Sequence, residues 1–99
     1  MSAFEFEASL WRWRSNAAWH FVTLPHDVAD DLEELSALAR RGFGSVRVEV
    51  TVGSTTWKTS VFPDAKAASY VLPVKRAVRD AESLVEGSML AVCLRPIDT

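Results

Sequence analysis

The sequence predicts a mainly β fold with two helices: a small closed barrel of six strands, in the order β-β-α-β-β-β-α-β. Three observations predict it. Six short segments read as strands, the clearest of them through period-two alternation of apolar and polar residues, the mark of half-buried strands. Only two segments carry apolar residues at helical spacing. Two helices are too few to cover both faces of an open six-stranded sheet, so closure is the expected packing, with the helices plugging or capping the barrel ends. An open α+β sandwich is the alternative architecture.

The elements follow in order. "AFEFEASLWRW" places Phe4, Phe6, Ala8 and Leu10 on one face and Glu5 and Glu7 on the other. Trp11 and Trp13 take the opposite phase, which predicts a bulge or bend there. "RSN" at 14–16 is a turn, and "AAWHFVTL" a second strand rich in aromatic and β-branched residues. A helix is predicted over 25–40, with Val28, Leu32, Leu35 and Ala39 as its apolar stripe. Asp27, Asp30 and Asp31 suit its positive end, Arg40 and Arg41 its negative end, and Gly42 the left-handed position that follows. "SVRVEVTV" is the cleanest strand, with Val46, Val48, Val50 and Val52 facing one way. "GS" at 53–54 suits a type II′ hairpin, and "TTWKTSVF" returns with Trp57, Thr59 and Val61 on one face and Lys58, Ser60 and Phe62 on the other. "PDAKAAS" reads as the longest loop and "YVLPV" as a short strand. Pro73 fits the first turn of a second helix with Val74, Ala77, Val78 and Ala81 buried, ended by "EGS" at 86–88. "MLAVCLR" is the last strand.

Residues 1–99 are one domain's length, sufficient to bury roughly two-thirds of the unfolded surface in a single core. A net charge of −2 argues against general affinity for nucleic acid or anionic membranes. Cys93 is the single cysteine, so an intrachain disulfide and a cysteine zinc motif are both excluded. No apolar run approaches the roughly 18 residues that span a bilayer. The opening "MSAFEFEASL" does not resemble a signal peptide, and a cytoplasmic bacterial protein is expected.

Catalytic and metal-binding patterns are weak. His20 and His26 lie six apart across a strand-to-helix junction, without a metal-ligand spacing. Cys93 sits among apolar residues, where a buried thiol is the ordinary case. Nothing around Ser60 or Ser69 resembles a nucleophile elbow. Asp30, Asp31, Glu33 and Glu34 read as a solvated helix face. No catalytic residue, metal or cofactor is therefore assigned.

Two features remain. "RRGFGSV" follows a helix and leads into a strand, the wrong polarity for a phosphate loop, so Arg40, Arg41 and Gly42 read as a helix end and Phe43 as a plug or contact. The second helix opens with Lys75 and Arg76, where the helix dipole disfavours cations. Asp80 is placed to offset Arg76, and Glu82 to offset Arg79, whereas Lys75 meets Arg79 at i+4. An anion near Lys75 would explain this placement; a solvated lysine is the plainer explanation. The four tryptophans are heavy usage. Trp19 and Trp57 are assigned to the core. Trp11 and Trp13, alternating with Arg12 and Arg14, could stack bases or sugars, although overlap with the core is favoured.

The stretches "FEFEASLW", "AWHFVTLP", "RRGFGSVRVEVTVGSTTWKTSVFPD" and "YVLPVKRAVRDAESLVEG" together resemble DUF1905, a bacterial domain family of unknown function, over about residues 3–95. The resemblance implies a closed six-stranded Greek-key barrel in a cytoplasmic bacterial protein. It also implies frequent fusion to an OmpD-associated, bacteriocin-protection-like domain, which residues 1–99 do not contain. It carries over no catalytic residue. The expected function is a non-catalytic binding or interaction module for a small anionic ligand or a protein partner, with no membrane role. Its candidate site gathers Arg41, Phe43, Lys58, Lys66, Tyr70 and Lys75 around the "FPDAKAAS" loop and the start of the second helix. The alternatives are an enzyme acting on a small substrate and a single-stranded nucleic-acid binder, the latter disfavoured by the acidic balance.

Overall fold

A computed structural model describes residues 3–16, 18–35 and 44–97. The chain forms β1 (Phe4–Ser9), β2 (Trp11–Arg12), β3 (His20–Thr23), α1 (His26–Leu35), β4 (Val46–Val52), β5 (Thr55–Asp64), β6 (Ser69–Pro73), α2 (Arg76–Glu82) and β7 (Met89–Pro96). All pairings are antiparallel, in the order β1-β7-β4-β5-β6-β3-β2. Because β1 and β2 are consecutive halves of one bent strand, this order runs round into a nearly closed barrel. Its crossovers, β3 to β4 and β6 to β7, carry the two helices.

The seventh strand comes from that bend. It falls at Leu10, one residue before the predicted place. Leu10 is almost fully buried, donates its N–H to the Ser88 carbonyl at 2.8 Å and accepts from Gly87 N at 2.8 Å. Before it, the strand pairs with β7; after it, with β3. The phase change seen in the tryptophans is therefore a change of sheet.

Alternation puts the core inside. Val46, Val48 and Val50 are fully buried, Val52 nearly so, and β5 meets them with Trp57 and Val61. Leu90, Val92 and Leu94 of β7, Leu72 of β6 and Val22 of β3 complete the interior. Each such side chain contributes about 1.5–3 kcal/mol on burial. Helix α1 adds Val28, Ala29 and Leu32 and lies against the Ser69–Tyr70 end of β6; α2 adds Val78 at the other end.

The structure corrects several local expectations. Helix α1 starts at His26, and Leu35 is exposed; residues 36–43, including Ala39, Arg40, Arg41, Gly42 and Phe43, lie outside the described residues. The predicted loop at 63–69 is shortened at both ends by strand. β5 runs through Pro63 and Asp64, which pair with Tyr70 and Ser69, leaving a four-residue turn over 65–68. Asp64 Oδ1 accepts the Lys66 N–H at 3.1 Å, and Ala68 takes a positive φ of 52°. Pro73 ends β6, opposite Phe21, rather than opening the helix, because its missing N–H costs least at a strand end.

Helix α2 then begins at Arg76 with Lys75 as its N-cap, so Ala77 and Ala81 turn outward. It ends at Glu82, not at 86–88. Ser83 adopts the left-handed conformation (φ 56°), with Leu84 N donating to the Arg79 carbonyl at 2.8 Å and Ser83 N toward Asp80 at 3.5 Å, a Schellman closure made without glycine. Cys93 is only half-buried, on the outward side of β7 between Glu5 and Thr51.

Candidate functional site

Of the six residues singled out by sequence, Arg41 and Phe43 lie outside the described residues. Lys58 is exposed on the outward face of β5, opposite Glu49. Lys66 is exposed in the 65–68 turn, at the Ser69 end of β6, whereas Lys75 follows its Pro73 end. A five-residue strand at about 3.3 Å per residue separates them, so these two lysines do not converge. Tyr70 is buried, and its hydroxyl donates to Glu33 Oε2 at 3.2 Å. Burial first, then the Glu33 charge and this hydrogen bond, push the Tyr70 phenol upward from its ordinary value. The surroundings of Tyr70 are acidic, with Asp30, Glu33 and Asp64 lining one shallow depression. That depression is an adverse place for an anion.

What the fold does assemble is aromatic. Outward positions of the four-stranded half-barrel β2-β3-β6-β5 carry Trp11, Phe21, Val71 and Phe62, joined by Trp13 and Trp19 from the β2–β3 hairpin. They line an open groove of about 490 Å³ with Asp64 at one end. The rings form a chain. Trp11 and Phe21 lie 5.1 Å apart, Phe21 and Trp19 6.1 Å, and Trp19 meets Trp13 edge-on at 6.3 Å. Trp13, Trp19 and Phe62 remain 46%, 52% and 45% exposed, so Trp19 belongs to the surface and not to the core.

The wall of this groove is held in place by polar contacts. Trp11 Nε1 donates to Thr23 Oγ1 at 3.0 Å, fixing the indole against β3. Trp13 N donates to the Trp19 carbonyl at 2.9 Å, carrying the β2–β3 pairing one step further. Asn16 closes the hairpin. Its carbonyl accepts from Trp19 N at 3.0 Å and its Oδ1 from Ala18 N at 3.0 Å. Arg79 ties this hairpin to the base of α2, donating from Nε to the Val74 carbonyl at 3.1 Å and from its terminal nitrogen to the Ala18 carbonyl at 3.2 Å. The predicted Arg79–Glu82 pairing is therefore replaced, whereas Arg76 does lie 3.6 Å from Asp80 on the solvated surface.

Trp19 also lines a second hollow of about 270 Å³, together with His20, Pro73, Lys75 and Arg76 among others. His20 has a buried Nδ1 with no hydrogen-bond partner among the described residues. The aromatic face thus has a carboxylate at one end and two exposed cations at the other.

Glu82, a partner of Arg79 by sequence spacing, instead staples the β4–β5 hairpin. Its carboxylate accepts from Thr55 Oγ1 at 2.6 Å, Ser54 Oγ at 3.2 Å and Ser54 N at 3.3 Å. The Thr55 bond, aided by those from Ser54 and opposed by desolvation, lowers its pKa. Gly53 (φ 60°) leaves room for it, since a Cβ at that position would run into the carboxylate.

Sequence alone assigns Trp19 to the core and favours the core for Trp11 and Trp13, although the phase of these residues also fits an outward face. Phe62 shares a face with Lys58, Trp11 and Trp13 oppose the Phe4–Leu10 phase, and Trp19 and Phe21 alternate with the buried Val22 and Leu24. The missing information is that four separate strands bring these positions together.

Among the described residues, no group of three or more His, Cys, Asp or Glu is gathered as a metal site, and no helix is long and apolar enough to cross a membrane. No curated protein matches the chain. The profile of a domain of unknown function, DUF1905, matches residues 6–94, and the chain belongs to that family.

Proposed function

We propose that this chain is a non-catalytic binding module of the bacterial cytoplasm whose ligand is a small, largely aromatic molecule lying in the Trp13–Trp19–Phe62 groove. The observation that carries this reading is the half-exposure of three large aromatic side chains on one continuous face. Small-molecule sites are mostly apolar depressions with a few placed polar groups, and this groove has that composition and a matching size. Exposed apolar patches of this kind mark contact surfaces, because leaving them in water is unfavourable without a partner. The single free thiol, Cys93, suits a reducing compartment. Tyr70 and Glu82, whose pKa values are shifted, both serve structural contacts, which supports a binding role over catalysis.

Tryptophan fluorescence titrated with bicyclic arenes tests the reading. Saturable quenching is expected, and it should be lost in Trp19→Ser, while Trp57 supplies an unaffected buried background. Absence of any saturable change overturns the reading. So does a dimer that Trp19→Ser dissociates, since the face then belongs to a second copy. Salt-dependent binding of a single-stranded oligonucleotide that competes with the arene would assign the face to base stacking instead.

A further inference from the structure

We propose that the ligand of this groove carries an anionic group, seated in the hollow between Trp19 and the base of α2 and held by Lys75 and Arg76. The inference rests on the groove being a ligand site and specifies what that site selects. Three observations carry it. Trp19 is a wall of both depressions, so the hollow lies next to an aromatic body in the groove. Along the outward side, Val71 and Pro73 are followed by Lys75 at the same two-residue step, and Phe21 stands opposite Pro73. At about 6.6 Å per two residues, a charge carried one or two atoms beyond a ring over Phe21 reaches the Lys75 side chain.

Charge supplies the polarity. The stretch from Lys75 to Arg79 carries three cations, with Asp80 next to them and Glu82 turned away onto the hairpin. Arg79 is engaged by two carbonyls, and Arg76 meets Asp80 only through a solvated contact at 3.6 Å, leaving Lys75 and Arg76 with donors for a ligand. At the opposite end, Asp64 repels an anion, so an amphipathic anion fits in one direction only. Carboxylate and phosphate share the required chemistry.

The experiment compares 1-naphthaleneacetate, 1-naphthyl phosphate and the neutral 1-naphthaleneacetamide by fluorescence titration against the intact chain and the double variant Lys75→Ala/Arg76→Ala. Both substituted residues are exposed, so folding is expected to survive, and circular dichroism checks it. The expected result is about tenfold tighter binding of at least one anion over the amide at low salt, an advantage that the double variant removes without changing amide binding. The better of the two anions identifies the head group. Equal binding of all three probes, or an anion preference that survives the double variant, overturns this inference and leaves the aromatic groove standing. If none of the three probes binds, both readings fall together.

Discussion

The two outer faces of the barrel obey the same inward pattern and differ outward, one mostly polar apart from Met89 and Ala91 of β7 and the other aromatic. On the β1-β7-β4 side, solvent meets Glu5, Glu7, Arg47 and a Thr51–Thr56 hydroxyl pair at 2.8 Å, together with a Glu49–Arg95 ion pair at 2.8 Å. On the β2-β3-β6 side it meets tryptophan and phenylalanine. Both faces cover equally buried valines and leucines, so the difference owes nothing to the stability of the core. A polar outer face is what a solvated antiparallel strand needs; an aromatic one has an exposure cost that a partner would remove.

The sharpest way to break this comparison is to ask whether the aromatic face is secretly core. Leu72→Ala, at a fully buried site beneath that face, is expected to lower the unfolding free energy by about 2–5 kcal/mol in urea denaturation. Trp19→Ser, on the face itself, is expected to cost no more than about 1.5 kcal/mol. Equal losses would erase the distinction between wall and core, and with it the argument that the tryptophans are displayed for a ligand.

A smaller effect tests the hairpin staple beside the polar face. The Glu82 carboxyl has a lower pKa folded than unfolded, so its contribution is present above its ordinary value of about 4.3 and is lost as pH falls through the depressed folded value. Glu82→Gln should lower the Tm at neutral pH, and the gap between variant and parent should close on acidification below about pH 4. A gap that stays constant down to about pH 3 would show that the charge is immaterial and the hydrogen bonds alone matter.

The smallest effect concerns the acidic depression around Tyr70. This is the single tyrosine, so phenolate absorbance reports it directly. Its midpoint should lie above about 10, with folding stability declining once pH rises past that ordinary value, and Glu33→Gln should move the midpoint downward while burial keeps part of the shift. A midpoint unmoved by Glu33→Gln would leave burial as the whole cause and make this depression less hostile to anions than its carboxylates imply.

Much of the fold was legible because strand alternation is a local property. The four valines from Val46 to Val52, the Gly53–Ser54 hairpin and the phase break after Leu10 all follow from residues within a few positions of each other. Element ends were less legible where tertiary contacts set them. β5 extends through Pro63 because β6 pairs with it, and α2 stops at Ser83 because Leu84 packs onto the core. The candidate site shows the same division. Basic residues near one another in sequence, Lys66 and Lys75, are separated by a strand, whereas tryptophans and phenylalanines from distant segments meet on one face.

Where apolar and polar residues alternate, as from Val46 to Val52, local pattern is enough to say which side of the strand faces inward, because one face must leave water; in the apolar runs of β6 and β7, and at Trp19, it is not. Only the tertiary structure decided which outward residues become neighbours. That depends on strand order and on which partner strand each half of the bent strand joins at Leu10, which are settled by closing the sheet around its core and have no signature in any local window. Trp19 illustrates this: its phase beside Val22 and Leu24 also fits an outward face, but its place between an aromatic groove and two cations exists only in the folded barrel.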